Sequence, residues 1–237
     1  MPAASSAEPQ LSLPARIHAL WRTKLWLTVV ISIGFWIPYL LLSRHAVLPI
    51  HTLPLTWLDE WAGFQPQPWS WVYESNFLIT GIVPWLITTR NTLRRYALGF
   101  AFMSGVSFLC FLIFPVACPR PSELGTDSLL NVIARIAGPL NAFPSLHAAS
   151  LIYTVLLVRR IFGRGLHPLV MPALITWGVL ILFATLATKQ HYAVDLLAGG
   201  IIGIFADWLV WRHCSASDSA ADNKARSLGV TSQAGCK

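Results

Sequence analysis

Charge is scarce in this chain. Asp, Glu, Lys and Arg make up 11% of its 237 residues, hydrophobic residues make up 55%, and mean hydropathy is +0.58. That balance excludes an ordinary soluble domain and points to a bilayer. Gly-rich phosphate loops, nucleotide fingerprints and paired-carboxylate motifs are missing, so nucleotide-dependent and glycosidase chemistry have no support. Cysteine is sparse as well. Cys110, Cys118, Cys214 and Cys236 lack zinc-site spacing and are too scattered for a disulfide framework. No internal repeat or heptad pattern appears.

What is present is a series of apolar runs, each near the roughly 20 residues that a spanning helix needs. The spacing predicts an all-α membrane bundle of six transmembrane helices near 25–43, 71–89, 96–116, 145–160, 168–187 and 191–211. The flanks 1–14 and 213–237 read as disordered tails, leaving 15–212 as the membrane catalytic domain. Arg16, Arg22 and Lys24 precede the first run as in a signal peptide. That run exceeds a secretory h-region and no small-residue cleavage site follows, so it is expected to be a retained anchor.

The net charge of +7 does not imply nucleic acid, because the basic residues occur as short clusters between apolar runs. They act as orientation signals. With six spans and both termini cytoplasmic, 13 of the 17 Lys and Arg fall on the inner side. Only Arg44, Arg120, Arg135 and Lys189 fall outside. The 44–74 segment carries Trp57, Trp61, Trp69, Trp71 and Tyr73, with Trp57 and Trp61 on one helical face. Such a density suits a headgroup-level anchor or one wall of a lipid headgroup site.

Three polar clusters interrupt this apolar background: Cys118-Pro-Arg-Pro121, Phe143-Pro-Ser-Leu-His147 and Lys189-Gln-His-Tyr-Ala-Val-Asp195. The predicted topology puts all three on the outer side. Pro144 and Ser145 suit a helix start, where free amides and the positive dipole end favour phosphate; His147 reaches the same region. His191 and Asp195, four apart, share a helical face. A carboxylate there can take the Nδ1 proton of imidazole and leave Nε2 free to attack an electrophile. Arg120 offers a fork suited to phosphate oxygens, and Lys189 a second positive charge. Cys118 has no base in its own motif. Asp207, intramembrane and unexplained by catalysis, suggests a pairing or folding role. His147 and His191 lack a third ligand at metal spacing, so no metal and no cofactor is expected.

At these residues the chain resembles the type 2 phosphatidic acid phosphatase superfamily, over roughly residues 45 to 211. Its pattern is Lys-x6-Arg-Pro, Pro-Ser-Gly-His and Ser-Arg-x5-His-x3-Asp. Arg120-Pro121, Pro144-Ser145-x-His147 and His191-x3-Asp195 fit in order and spacing. Ile113 stands at the lysine position, Leu146 at the glycine, and Ala184-Thr185 at the Ser-Arg pair. Pro-Ser-Leu-His with Gln-His-Tyr-x-Val-Asp is similar to the branch containing inositol phosphorylceramide synthases. The resemblance implies His191 as phosphohistidine-forming nucleophile, Asp195 as its orienter and His147 as general acid. It implies Arg120, Ser145 and Lys189 as phosphate-binding groups, and no metal.

The expected activity is phosphoryl-linked transfer or hydrolysis on a lipid phosphate or phospholipid, with a possible alcohol acceptor, tilted toward headgroup transfer. Hydrolysis of a lipid phosphate or polyprenyl pyrophosphate is the alternative. From another class, a transporter or non-catalytic lipid-binding protein would use the histidines as proton-linked or structural groups; the sequence shows no inverted repeat or paired broken helices to favour it. The compact chain points to a bacterial plasma membrane with the site on its outer face.

Overall fold

A computed structural model describes residues 11–163 and 165–227. Among these residues the secondary structure is helical throughout: α1 (Leu13–His18), α2 (Trp21–Arg44), α3 (Trp57–Ala62), α4 (Pro66–Ile82), a 3-10 turn (Val83–Leu86), α5 (Arg90–Ile113), α6 (Ser128–Ile136), α7 (Leu146–Phe162), α8 (Val170–Ala187) and α9 (Ala193–Ser227). Four segments are long and apolar enough to cross a membrane, namely Trp21–Arg44, Arg90–Ile113, Val170–Ala187 and Ala193–Arg212. The remaining two expected spans correspond to α4 and α7, each 17 residues long, slightly short of a full crossing by length alone.

Helix boundaries follow local chemistry. Thr89 accepts the Thr92 amide, so α5 starts at Arg90 inside the basic cluster, six residues before the apolar run at 96. Ser145 accepts the Ala148 amide and opens α7, and Asp127 likewise opens α6, a short helix that hydropathy did not signal. The expected N-terminal tail reaches Leu13, where α1 begins, and residues 1–10 lie outside the described residues. At the other end α9 runs beyond 212 to Ser227, and 228–237 lie outside the described residues.

α7 and α9 pack closely at the centre of the bundle. A Cβ on Gly199 would sit 2.1 Å from the Ser145 carbonyl oxygen, and one on Gly203 2.5 Å from that of Ala149. Buried Ala206 continues the same face one turn on, so small residues let two backbones touch where lipid supplies no hydrophobic force between helices. Around this pair, Tyr96, Met103, Tyr153, Leu157 and Ile161 form the main core. The Tyr153 hydroxyl donates to the α5 carbonyls of Arg95 and Tyr96, 3.2 Å each, across the gap left by Gly99.

At one end of the pair Arg160 grips Asp207, with Arg160 Nε donating to Asp207 Oδ1 at 2.7 Å, while Arg160 and Arg95 both lie over the Trp211 ring. Asp207 therefore has the ion-pair partner that an intramembrane carboxylate requires. Ser145, His147 and His191 lie at the opposite end.

Replacing Gly199 by Ala should lower stability by about 1–3 kcal/mol, because the new methyl must displace backbone. Gly105→Ala, which meets nothing within 4 Å, should leave the thermal midpoint of the detergent-solubilised protein unchanged; equal midpoints for both variants would disprove the close packing.

Candidate active site

The site forms where the first turns of α7 and α9 meet beneath a roof of connecting segments. The Ser145 amide donates to the Asp195 carbonyl at 3.0 Å, joining the two helix starts. Above them, the Ala117 amide donates to His51 O, Cys118 to Pro139 O, and Ala142 to Val116 O. The roof is thus three strand-like segments held by single bridges at His51, Val116 and Asn141.

His191 lies under this roof, 5% exposed. Its Nδ1 is 2.9 Å from the Ala142 carbonyl oxygen and 3.6 Å from Asp195 Oδ2. A carbonyl only accepts, so Nδ1 carries the proton and the lone pair of the neutral ring resides on Nε2. The acceptor nearer to Nδ1 is therefore a backbone oxygen, and Asp195 contributes mainly field. Asp195 Oδ2 accepts the Tyr192 amide at 2.8 Å, while its buried Oδ1 has no hydrogen-bond partner. A carboxylate in the first turn also favours the positive end of the α9 dipole.

His147 projects from the first turn of α7 toward the same space. Its ring centroid is 5.5 Å from that of His191, and it stacks on Tyr73 at 4.3 Å with Phe77 at its edge. Its buried Nε2 has no hydrogen-bond partner. Tyr73 is thus the member of the aromatic 44–74 segment that walls the site, whereas Trp57 and Trp61 project outward from α3, 73% and 69% exposed.

The two cations divide. Arg120 directs Nε, at 3.0 Å, and Nη2 at Gln190 Oε1, and Nη1 at the Ala137 carbonyl, 3.1 Å. It sits one residue from His191 through Gln190 and pairs with no carboxylate among the described residues. Lys189 has φ 55, in the left-handed region, and its Nζ donates to the Asp59 carbonyl. Burial holds the Lys189 pKa below its ordinary value, opposed by the charge of Asp59. Of the residues expected at the site, Ser145, His147, His191 and Asp195 converge, Arg120 borders them, and Lys189 turns toward the α3 loop. Burial raises the pKa of Cys118 above the usual thiol value, favouring an inert thiol. Among the described residues no group of three or more His, Cys, Asp or Glu is placed to hold a metal.

Asp59 was not singled out by sequence. It is 1% exposed, and its Oδ2 accepts from the Thr56 amide and hydroxyl at 2.8 and 2.7 Å. Its Oδ1 accepts the Ala193 amide at 2.9 Å, capping α9 from a helix 134 residues earlier. Together with the Lys189 contact, this fastens both sides of His191 to α3. The local Thr56-x-x-Asp59 capping box was a legible signal; the second oxygen was not.

A model of the PAP2 superfamily matches residues 49–209, about two thirds of the chain. The protein belongs to the PAP2 superfamily. No curated protein and no solved structure gives a significant match. Membership brings phosphatase or phosphotransferase chemistry on a lipid phosphate in a membrane setting, and the matched region contains the three polar clusters and the Gly199, Gly203 and Asp207 contacts of α9 with α7.

Asp59→Ala should remove the cap on α9 and cost about 0.5–2 kcal/mol. Hydrogen exchange should show faster exchange of the 189–195 amides with those of α5 unchanged. Unaltered exchange at 189–195 would refute the clamp.

Proposed function

We propose that this protein is a lipid phosphotransferase working through a phosphohistidine on His191. The observation that carries the reading is the paired geometry of the histidines: Nδ1 of His191 is committed to Ala142, leaving Nε2 as the lone-pair nitrogen, and the buried, unpartnered Nε2 of His147 stands on the neighbouring ring.

In the first half-reaction, His191 Nε2 attacks phosphorus and the bond from phosphorus to the leaving oxygen breaks. His147, as imidazolium, gives its proton to that oxygen. In the second, His147 takes the proton of an acceptor hydroxyl, the new P–O bond forms, the P–N bond breaks and His191 is restored. Asp195 stabilises the positive charge that develops on His191 as it forms the phosphoryl bond. Arg120 can turn from the neutral acceptors Gln190 and Ala137 to phosphoryl oxygens, and the Ser145 helix start adds dipole. Lys189 has three donors and uses one on Asp59, so its charge reinforces the same region. No step calls for a metal.

Transfer is favoured over hydrolysis by the cations that are missing. Ile113 replaces the lysine of the superfamily pattern and is 54% exposed, facing outward at the end of α5. Thr185 replaces the arginine and is fully buried, with its hydroxyl on the Leu182 carbonyl. A phosphodiester carries less charge than a phosphomonoester and needs fewer such groups. The donor in this reading is a phospholipid whose phosphoryl headgroup passes to an alcohol, as in the inositol phosphorylceramide synthase-like branch. The bundle has six spans with both termini cytoplasmic, α4 and α7 completing the set, and the site lies on the outer face of a bacterial plasma membrane. Support comes from Arg95, Arg159, Arg160 and Arg212 at the end opposite His191.

The test is a mass-resolved time course of the purified protein with phospholipids, with and without an alcohol acceptor, and acid-sensitive phosphohistidine trapping. His191→Ala should abolish the trapped adduct and lower turnover at least about 10³-fold. His147→Ala should cost about 10²–10⁴-fold and Arg120→Ala about 10²–10³-fold. Turnover indifferent to His191→Ala sinks the mechanism. Release of free phosphate or phosphoalcohol at a rate independent of acceptor makes the protein a hydrolase.

A further inference from the structure

A cavity of about 320 Å³ lies between α2, α4, the 3-10 turn, α5 and α7. One wall is a continuous face of α2, from Lys24 through Leu27, Ile31 and Phe35 to Tyr39. At 1.5 Å per residue this wall rises roughly 22 Å, most of the roughly 30 Å hydrocarbon thickness. The cavity is therefore long for its volume and suits one extended chain. Lys24 closes one end, its Nζ donating to the carbonyls of Arg16 and Trp85 at 2.7 and 2.6 Å. His147 stands at the other end.

Two buried polar atoms without partners belong to residues lining that end: His147 Nε2 and Asn76 Oδ1. Asn76 is 1% exposed and lies one helical turn beyond Tyr73, the residue stacked on His147. Its Nδ2 is 3.4 Å from Ser150 Oγ, one turn along α7 from His147. Exchanging the amide oxygen and nitrogen does not alter the count, since one amide atom stays unpaired either way. An unpaired amide at membrane depth is costly to keep, and a leucine of similar size would fill the same space without that cost.

We propose that this cavity holds one hydrocarbon chain of the lipid substrate, and that Asn76 selects a chain bearing a hydroxyl or amide group beside its phosphate end. The proposal rests on the assignment of His147 to the reacting oxygen, and adds the substrate class: a lipid whose hydrogen-bonding group lies within the first few carbons of the phosphoester, where it meets the free amide atom of Asn76. A hydroxyl satisfies that atom in either orientation, as both donor and acceptor. The remaining chain runs along α2 toward Lys24.

The test measures binding of hexadecyl phosphate and 2-hydroxyhexadecyl phosphate by native mass spectrometry, using the His191→Ala protein so that neither is consumed. The hydroxylated lipid should bind about tenfold more tightly, a difference typical of one buried hydrogen bond. Asn76→Leu on that background should retain hexadecyl phosphate and lose the preference. Thr80→Trp, which fills the cavity, should weaken both lipids at least tenfold while octyl phosphate is affected less. Equal binding of the two long-chain lipids to the His191→Ala protein, or binding unchanged by Thr80→Trp, overturns the proposal whatever the folding of Asn76→Leu. If the unmodified protein binds with the stated preference yet forms no phosphohistidine, the phosphotransferase assignment fails while the cavity assignment stands.

Discussion

The close contact between α7 and α9 is the constraint on which the rest of the molecule depends. Gly199 and Gly203 allow the α9 backbone to approach the carbonyls of Ser145 and Ala149 to distances that no side chain permits. Packing of this kind is how helices associate in lipid, where apolar side chains gain little by leaving one hydrocarbon environment for another. The same approach brings the Ser145 amide onto the Asp195 carbonyl. One contact thus sets both the register of the two helices and the separation of His147, on the first turn of α7, from His191, in the turn that leads into α9.

Polarity is arranged at the two ends of that pair in different ways. At one end Arg160 and Asp207 satisfy each other, and Trp211 covers the guanidinium groups, so the charges are closed off. At the other, polar atoms are left unmet: His147 Nε2 and Asp195 Oδ1 have no partner, and Arg120 is directed at neutral acceptors. Buried groups in a stable structure are normally paired. Two exceptions, His147 Nε2 and Asp195 Oδ1, stand on the first turns of α7 and α9 beneath the connecting segments, where the proposed reaction would bring a phosphoryl group. The roof has its own part in this, since Val116 holds Ala142 and Ala142 in turn fixes the tautomer of His191.

The Trp-bearing α3 is tied into the same assembly. Its outward tryptophans suit the headgroup layer, while inward Asp59 caps α9 and its carbonyl receives Lys189. An element that looks from sequence like a peripheral anchor is therefore mechanically continuous with the turn that carries His191.

Much of this was legible in the sequence because the signals were local. Apolar runs marked the four helices long and apolar enough to cross a membrane, since hydrocarbon tolerates little else over that length, while the expected 71–89 span is displaced to Pro66–Ile82. Ser145 before Leu146 marked a helix start by side-chain capping, whereas His191, expected to share a helical face with Asp195, lies in the turn two residues before α9 begins at Ala193 and meets Asp195 from there. Residues whose meaning lies in a distant partner were not legible. Ala142 acts through a backbone oxygen, which has no residue-type signature. Asp59 meets Ala193 across 134 positions, and Asp207 meets Arg160 across 47. Sequence by itself determined the membrane setting, the helices and which polar residues stand at their ends, because hydropathy, capping and helical period act over a few residues. Only the tertiary structure decided that a carbonyl rather than a carboxylate is the nearer acceptor of the His191 proton, that Lys189 turns away toward α3, and that Asn76 holds an unpaired amide beside a chain-length cavity, because each depends on which helices touch and at what distance.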